Sequence, residues 1–433
     1  MSAHARYARA GARQPSRRST RGFTLIELLV AVVAGMFVVI AAFLLSKGAT
    51  RLFASEGRVG QAQMGLRLGV ERLRSDLERA GFQSTPNVMM DPDVCPNPNS
   101  VGFAAHLQSV AYLPGGSTKA TQSFDPNNKL APDAILLSGN FVGSDVYLVS
   151  DIEPSPAGGY DIFLQRNNGA VQRLLATGET GTTANVMNST FPAGHLLRVT
   201  NPLGSSQFLL IDSSSIGSGG IPQIHLLPIP NLRVVDPASP DKRCGISGYG
   251  MGSTVNTVST VKYDLRSTAA FAPWAYDPEG GVGETLKYDL VRTEMNYDGT
   301  EATITPPGGG AALPASSIIS EYAVDLAFAF SVDTSLPAGA SWVEPTMKSY
   351  DFGDDNNRIV GADVVTNAAT ARPQRIRTIK FRLTTRQRDA DRQSNADDGG
   401  AGLMRYYLAP NQYARARTVV GEISLINQQG VRW

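Results

Sequence analysis

RGFTLIELLVAVVAGMFVVIAAFLL, Arg21 to Leu45, decides how this chain is read. From Phe23 to Leu45 the only ionisable side chain is Glu27. As a helix at ~1.5 Å per residue, that run is roughly 35 Å long, enough to cross a bilayer core with some tilt. It is too long for the apolar region of a secretory signal, and no A-x-A site follows it. Upstream stand Arg6, Arg9, Arg13, Arg17, Arg18 and Arg21, with no acidic residue before Glu27. Basic flanks stay on the cytoplasmic side, so the N-terminus is expected inside and the remainder across the membrane. A carboxylate at bilayer depth costs roughly 2.5–3.5 kcal/mol on insertion scales, so Glu27 is expected to serve a function.

Downstream of Leu45 the pattern turns amphipathic. No proline occurs between Pro15 and Pro86. Leu52, Val59, Leu66, Leu73 and Ala80 recur every seven residues, with Val70 and Leu77 at the i+4 offset. That is one helical stripe. Arg58, Arg67, Arg72, Arg74, Asp76, Glu78 and Arg79 are expected on the other faces, and Gly81 and Pro86 supply a stop. The pattern predicts one helix from Phe23 to about Ala80, with a transmembrane half at 23–45 and an amphipathic half at 46–81. The competing reading breaks the helix near Gly48 or Gly57–Gly60, because each glycine weakens a helix by up to ~1 kcal/mol.

Beyond residue 82 the punctuation is dense. The chain of 433 residues holds 43 Gly and 26 Pro, which favours short strands and many turns over a helical bundle. Val324, Leu326, Phe328, Phe330 and Val332 alternate with smaller or polar residues, the signature of a half-buried strand. Leu286, Tyr288 and Leu290 alternate ahead of a hairpin at Asp298-Gly299, and Ile379, Phe381 and Leu383 alternate with Lys380, Arg382 and Thr384. Val419, Ile423 and Leu425 share a face. Further strands are expected at 134–138, 145–149, 160–165, 195–200 and 207–212. The fold class is therefore α+β: a long N-terminal helix packed on a β-rich head, the head divided into lobes at 82–240 and 241–433.

The segment RGFTLIELLVA, Arg21 to Ala31, resembles the class III signal of type IV pilins and type II secretion pseudopilins. The resemblance implies that residues 1–22 are a cytoplasmic leader, removed by prepilin peptidase between Gly22 and Phe23. It implies N-methylation of Phe23 and makes Glu27 the filament assembly contact. ERLRSDLERAGF (71–82), SEYAVDLAFAFSVDTS (320–335), RIRTIKFRLTTRQ (375–387) and YARARTVVGEISLIN (413–427) resemble PilW-type minor pilins and, in architecture, J-type pseudopilins. That likeness implies a pilin-like fold and a tip-proximal role in starting a type IV pilus. The implied partners are prepilin peptidase, other minor pilins, the major pilin, the inner-membrane assembly platform and a tip adhesin. The implied itinerary is a single-pass inner-membrane protein with a periplasmic head, then the pilus on the cell surface. A type II secretion pseudopilin, or a pilus-tip adhesin or DNA-binding module, are the other readings.

Other chemistry is sparse. Cys95 and Cys244 are the only cysteines, and an even pair reaching an oxidising compartment is a disulfide candidate. Asp351, Asp354, Asp355, Asn356, Asn357 and Asp363 are oxygen-rich but lack the order of a calcium loop, so no metal site is expected. Arg372, Arg375, Arg377, Lys380, Arg382, Arg386, Arg388 and Arg392 form a basic stretch, read as a solvated or edge strand face. A net charge of +1 argues against a nucleic-acid binder. His106, His195 and His225 have no metal-ligand spacing and read as packing or surface residues. With no phosphate loop, nucleophile elbow or H-E-x-x-H pair, neither an enzyme nor a cofactor is expected.

Overall fold

The computed structural model describes residues 24–95, 107–116, 130–177, 183–228, 249–267, 269, 277, 286–304, 313–333, 347–352, 373–390 and 405–431. The chain divides into two units, Met1–Val59 and Gly60–Trp433. One helix, α1 (Leu25–Glu78), contributes to both, so none of its glycines ends it. In the first unit, Leu25–Thr50 is long and apolar enough to cross a membrane. Its apolar side chains are exposed all round, from Leu25 and Ile26 to Leu44 and Leu45.

The second unit carries the end of α1 and the head. Leu66, Leu73, Leu77 and Ala80 are buried there and Val70 packs against them, as the heptad stripe predicts. Leu52 and Val59 lie outside the residues whose side chains are described. Gly69 faces the head closely: a Cβ here would sit 2.9 Å from the Ser320 Cβ. After Glu78 the chain tightens into turns, with Gly81 at φ +74°. The Gly81 N–H donates to the Ser138 carbonyl at 2.8 Å. The carbonyls of Glu78 and Ala80 accept from the Asn427 side-chain amide, each at 3.1 Å. A residue near the C-terminus thus satisfies acceptors that the helix leaves without intrahelical partners.

The strands before residue 240 are β1 (Val110–Leu113), β2 (Ala134–Gly139), β3 (Tyr147–Pro154), β4 (Tyr160–Leu164), β5 (Leu196–Thr200), β6 (Ser206–Ile216) and β7 (Pro222–Leu226). Two short helices, α2 (Gly169–Thr177) and α3 (Thr183–Thr190), lie between β4 and β5. The long strand β8 (Thr254–Ser267) organises the sheet. Its first half pairs with β3 and β5, and β3–β4–β7–β6–β5 complete a closed antiparallel ring. Ile162, Leu164, Leu197, Val199, Leu209, Ile224 and Val255 form its core, with Val171, Leu174, Met187 and Phe191 from α2, α3 and the residue after α3. The second half of β8 pairs with β2 on one side and β9 (Tyr288–Met295) on the other. Beyond β9 lies β12 (Ser316–Ser320), preceded by the short pair β10 (Thr303–Ile304) and β11 (Leu313–Pro314).

A second antiparallel sheet follows: β14 (Met347–Ser349), β13 (Ala323–Asp333), β15 (Ile376–Arg386), β17 (Gln412–Ser424) and β16 (Arg405–Ala409), in that order. Leu326, Phe328 and Phe330 lie opposite Leu383, Phe381 and Ile379 on β15. With Ile423 and the α1 stripe, they share one core with Ile135, Leu137, Val261, Tyr263 and Leu265 of the first sheet.

Three expectations meet a different arrangement. β13 is buried on both faces rather than one, because its second face carries Ala323, Ala329 and Ser331, and Asp325 is paired by Arg382 at 2.7 Å. β15 is an internal strand and not an edge: Arg386 is buried, while Lys380 and Arg382 remain partly exposed. Sheet pairing also crosses the boundary drawn at 240/241, since β8 bonds to β2, β3 and β5.

Candidate functional site at the start of the long helix

Thr24 is the residue before α1, and Glu27 is the third residue of the helix. The Thr24 Oγ1 accepts from the Glu27 N–H at 3.3 Å. In return Glu27 Oε2 accepts from the Thr24 N–H and hydroxyl, both at 3.1 Å. This reciprocal pattern is a capping box, satisfying two donors that a helix start leaves open. The first intrahelical bond, from the Leu28 N–H to the Thr24 carbonyl, is 3.2 Å. The box is legible as T-x-x-E at Thr24–Glu27 in the sequence. The Glu27 side chain is thus tied back to the first turn by its own chain. Gly22 and Phe23 lie outside the described residues.

The two cysteines are placed unequally. Cys95 is buried and its Sγ lies 3.2 Å from Tyr249 Oη. The Cys95 N–H donates to the Ser206 carbonyl at 2.9 Å, fastening the segment after α1 to the start of β6. Cys244 lies outside the described residues, five positions before Tyr249.

The other candidates are absorbed by structure. Arg377 donates to Asp333 and to the carbonyls of Gln374, Gln428 and Val431. Arg386 is fully buried between the rings of Tyr322 and Tyr406 and donates to three carbonyls. Lys380 pairs with Asp351 at 3.6 Å and Arg388 with Asp277 at 2.9 Å. Arg372, Arg392, Asp354, Asp355, Asn356, Asn357, Asp363 and His106 lie outside the described residues. His225 Nδ1 meets Asp161 at 2.7 Å, while the largely covered His195 lies 3.9 Å from Glu294. Among the described residues no group of three or more His, Cys, Asp or Glu is placed to hold a metal.

Asp76, expected on a face of the helix away from the stripe, is instead buried against the head. It is 2% exposed, and its Oδ2 accepts from Tyr263 Oη and Arg292 Nε, each at 2.7 Å. Tyr263 and Arg292 stand directly opposite each other on β8 and β9. Burial and the Asp76 charge push the Tyr263 phenol far above its usual range, so it stays a donor. The signal was present: Asp76 falls three residues after Leu73 and four before Ala80, on the packed face.

Comparison with known proteins finds the family model "Prokaryotic N-terminal methylation motif" over residues 17–43. No curated protein and no solved structure matches the chain. The match covers the leader junction, the capping box and most of the apolar helix, and is silent on the head. The chain carries the class III signal of prepilin-type proteins, on a helix suited to membrane anchoring, and this supports a pilin- or pseudopilin-like protein. Such a signal implies processing by prepilin peptidase and assembly with other pilins.

Proposed function

We propose that this chain is a minor pilin of the PilW type that helps initiate type IV pilus assembly near the filament tip. It acts as a structural subunit, not an enzyme. The observation that carries the reading is the methylation motif on an apolar helix whose third residue is Glu27. The chain enters the inner membrane with its basic leader in the cytoplasm and its head in the periplasm. Prepilin peptidase removes residues 1–22, and Phe23 becomes a methylated ammonium. A neighbour's ammonium and Glu27 each cost much when buried alone and far less when paired, so the pair sets register between subunits. The capping box holds the carboxylate on Thr24 until that partner arrives.

The test has two arms. Replacing Gly22 with a bulky residue leaves a full-length membrane-bound precursor, and a mature Phe23 N-terminus in that variant would refute the cleavage assignment. Glu27→Ala weakens recovery of partner minor pilins from solubilised membranes and lowers the count of surface pili. Wild-type levels of both would remove Glu27 from assembly. If loss of the chain spares pili but blocks protein export, the subunit belongs to a secretion pseudopilus instead.

A further inference from the structure

A cleft of about 450 Å³ opens on the head between the β2–β3 loop and the helices α2 and α3. That volume is within the roughly 300–1,000 Å³ typical of small-molecule sites. Its polar lining includes Asn140, Asp145, Tyr147, Arg173, Ser189 and Thr257. Val142, Leu174 and Val186 supply apolar surface between them.

The wall is built rather than incidental. Asn140 donates to Gln83 Oε1 at 2.6 Å and accepts from the Gly143 N–H at 3.1 Å, fixing the loop. Gln83 also donates to the Ser144 carbonyl at 2.9 Å and sits at φ +50°, a backbone state a non-glycine residue adopts only when held there. On the far wall Thr257 Oγ1 donates to the Thr190 carbonyl at 2.6 Å and Ser189 Oγ to the Val186 carbonyl at 2.9 Å. Both hydroxyl oxygens keep lone pairs for another donor.

Charge and one leftover hydroxyl define the ligand. Among the described lining residues the charged groups are Asp145 and Arg173, which pair at 2.6 Å and offset each other. An anion would have to take Arg173 from Asp145, and a cation the reverse. A purely apolar ligand would strip water from the carboxylate, amide and hydroxyls without replacing it. Tyr147 is 7% exposed, and its hydroxyl has no hydrogen-bond partner among the described residues. Burial and then the Asp145 charge push its phenol up to about 12, so it remains a donor at physiological pH. The ring is packed in the core while the hydroxyl opens on the cleft as a protonated donor, placed to meet an acceptor there.

We propose that this cleft binds a neutral, hydroxyl-rich saccharide unit, with the Tyr147 hydroxyl donating to a sugar oxygen and the Asp145–Arg173 pair and Ser189 and Thr257 hydroxyls bonding the others. Valine and leucine surfaces take the C–H face of the ring.

The test titrates the full-length protein in detergent with the methyl glycosides of glucose, galactose, mannose and N-acetylglucosamine. Immobilised dextran and mannan serve as polymer probes. At least one probe binds with Kd below ~10 mM, and glucuronate and glucosamine bind at least about tenfold more weakly than their neutral counterparts. Tyr147→Phe, which removes one oxygen, weakens binding by about tenfold with the melting temperature unchanged or raised. Ser189→Trp fills the cleft and abolishes binding. Retention on polymer without binding of the glycosides assigns a surface glycan, and glycoside binding assigns a free sugar. The proposal is overturned if no probe binds, if a charged sugar binds as tightly as a neutral one, or if both variants bind as wild type does.

Discussion

At Gly421 a single hydrogen decides whether two strands can lie side by side. It stands opposite Phe381 in the β15–β17 register, and a Cβ there would clash with that ring's Cζ, far inside van der Waals contact. The ring therefore covers the glycine, an arrangement that stabilises strands at otherwise weak positions. Gly421→Ala is expected to destabilise by about 1–3 kcal/mol, measured by urea unfolding. Adding Phe381→Leu should recover part of the loss, because the added methyl then has room. His195 sets a different kind of limit. Burial pushes its imidazole below the usual histidine range, with Arg292 adding to this and Glu294 opposing. The unfolded chain then binds more protons than the folded one just below pH 6.5, so stability falls as pH drops through that region. Urea midpoints between pH 7.5 and 5.5 should show the fall, and His195→Gln should flatten it. An equal slope in that variant would assign the acid sensitivity elsewhere.

Among the elements, α1 is fixed to the head by a charge as much as by its stripe. Asp76→Ala leaves Arg292 and Tyr263 without their acceptor in a buried site, at a cost of about 3–5 kcal/mol in unfolding free energy. Combining it with Arg292→Leu should cost less than the sum, since both changes break one pair. Glu78→Ala, at a half-exposed pair with Arg74, serves as the mild control. The helix itself was legible before any coordinates: its start, its length to within a few residues and its buried stripe follow from period and proline spacing. The strands were legible as well, because Leu326, Phe328 and Phe330 or Ile379, Phe381 and Leu383 alternate visibly. What each strand pairs with was not, since period two marks a pleat and names no neighbour. That is why β15 read as an edge. Asp76 was missed because a carboxylate on a mixed helix face reads as solvated until its partners, 187 and 216 residues away, are in place. The cleft was hidden for the same reason: its polar groups come from four separate stretches of sequence.

For the molecule as a whole, the expected Cys95–Cys244 bridge would tie the segment after α1 to the loop ahead of β8. Cys95→Ala and Cys244→Ala should then destabilise equally, by about 2–5 kcal/mol, with no further loss in the double variant. Thiol labelling of both positions in the native protein would rule the bridge out. Its cross-link would sit close to β8, and β8 governs how the head comes into being. β2 is made about 120 residues before the strand it pairs with, and the ring of β3 to β7 stays open until that same strand arrives. The helix end waits longer still, for Asn427. Pairings so distant in sequence fold slowly, on the order of milliseconds to seconds, and expose unpaired strands meanwhile. A chain stopped by a late nonsense codon has every strand of that ring but lacks Asn427, and leaves the end of the long helix without its cap.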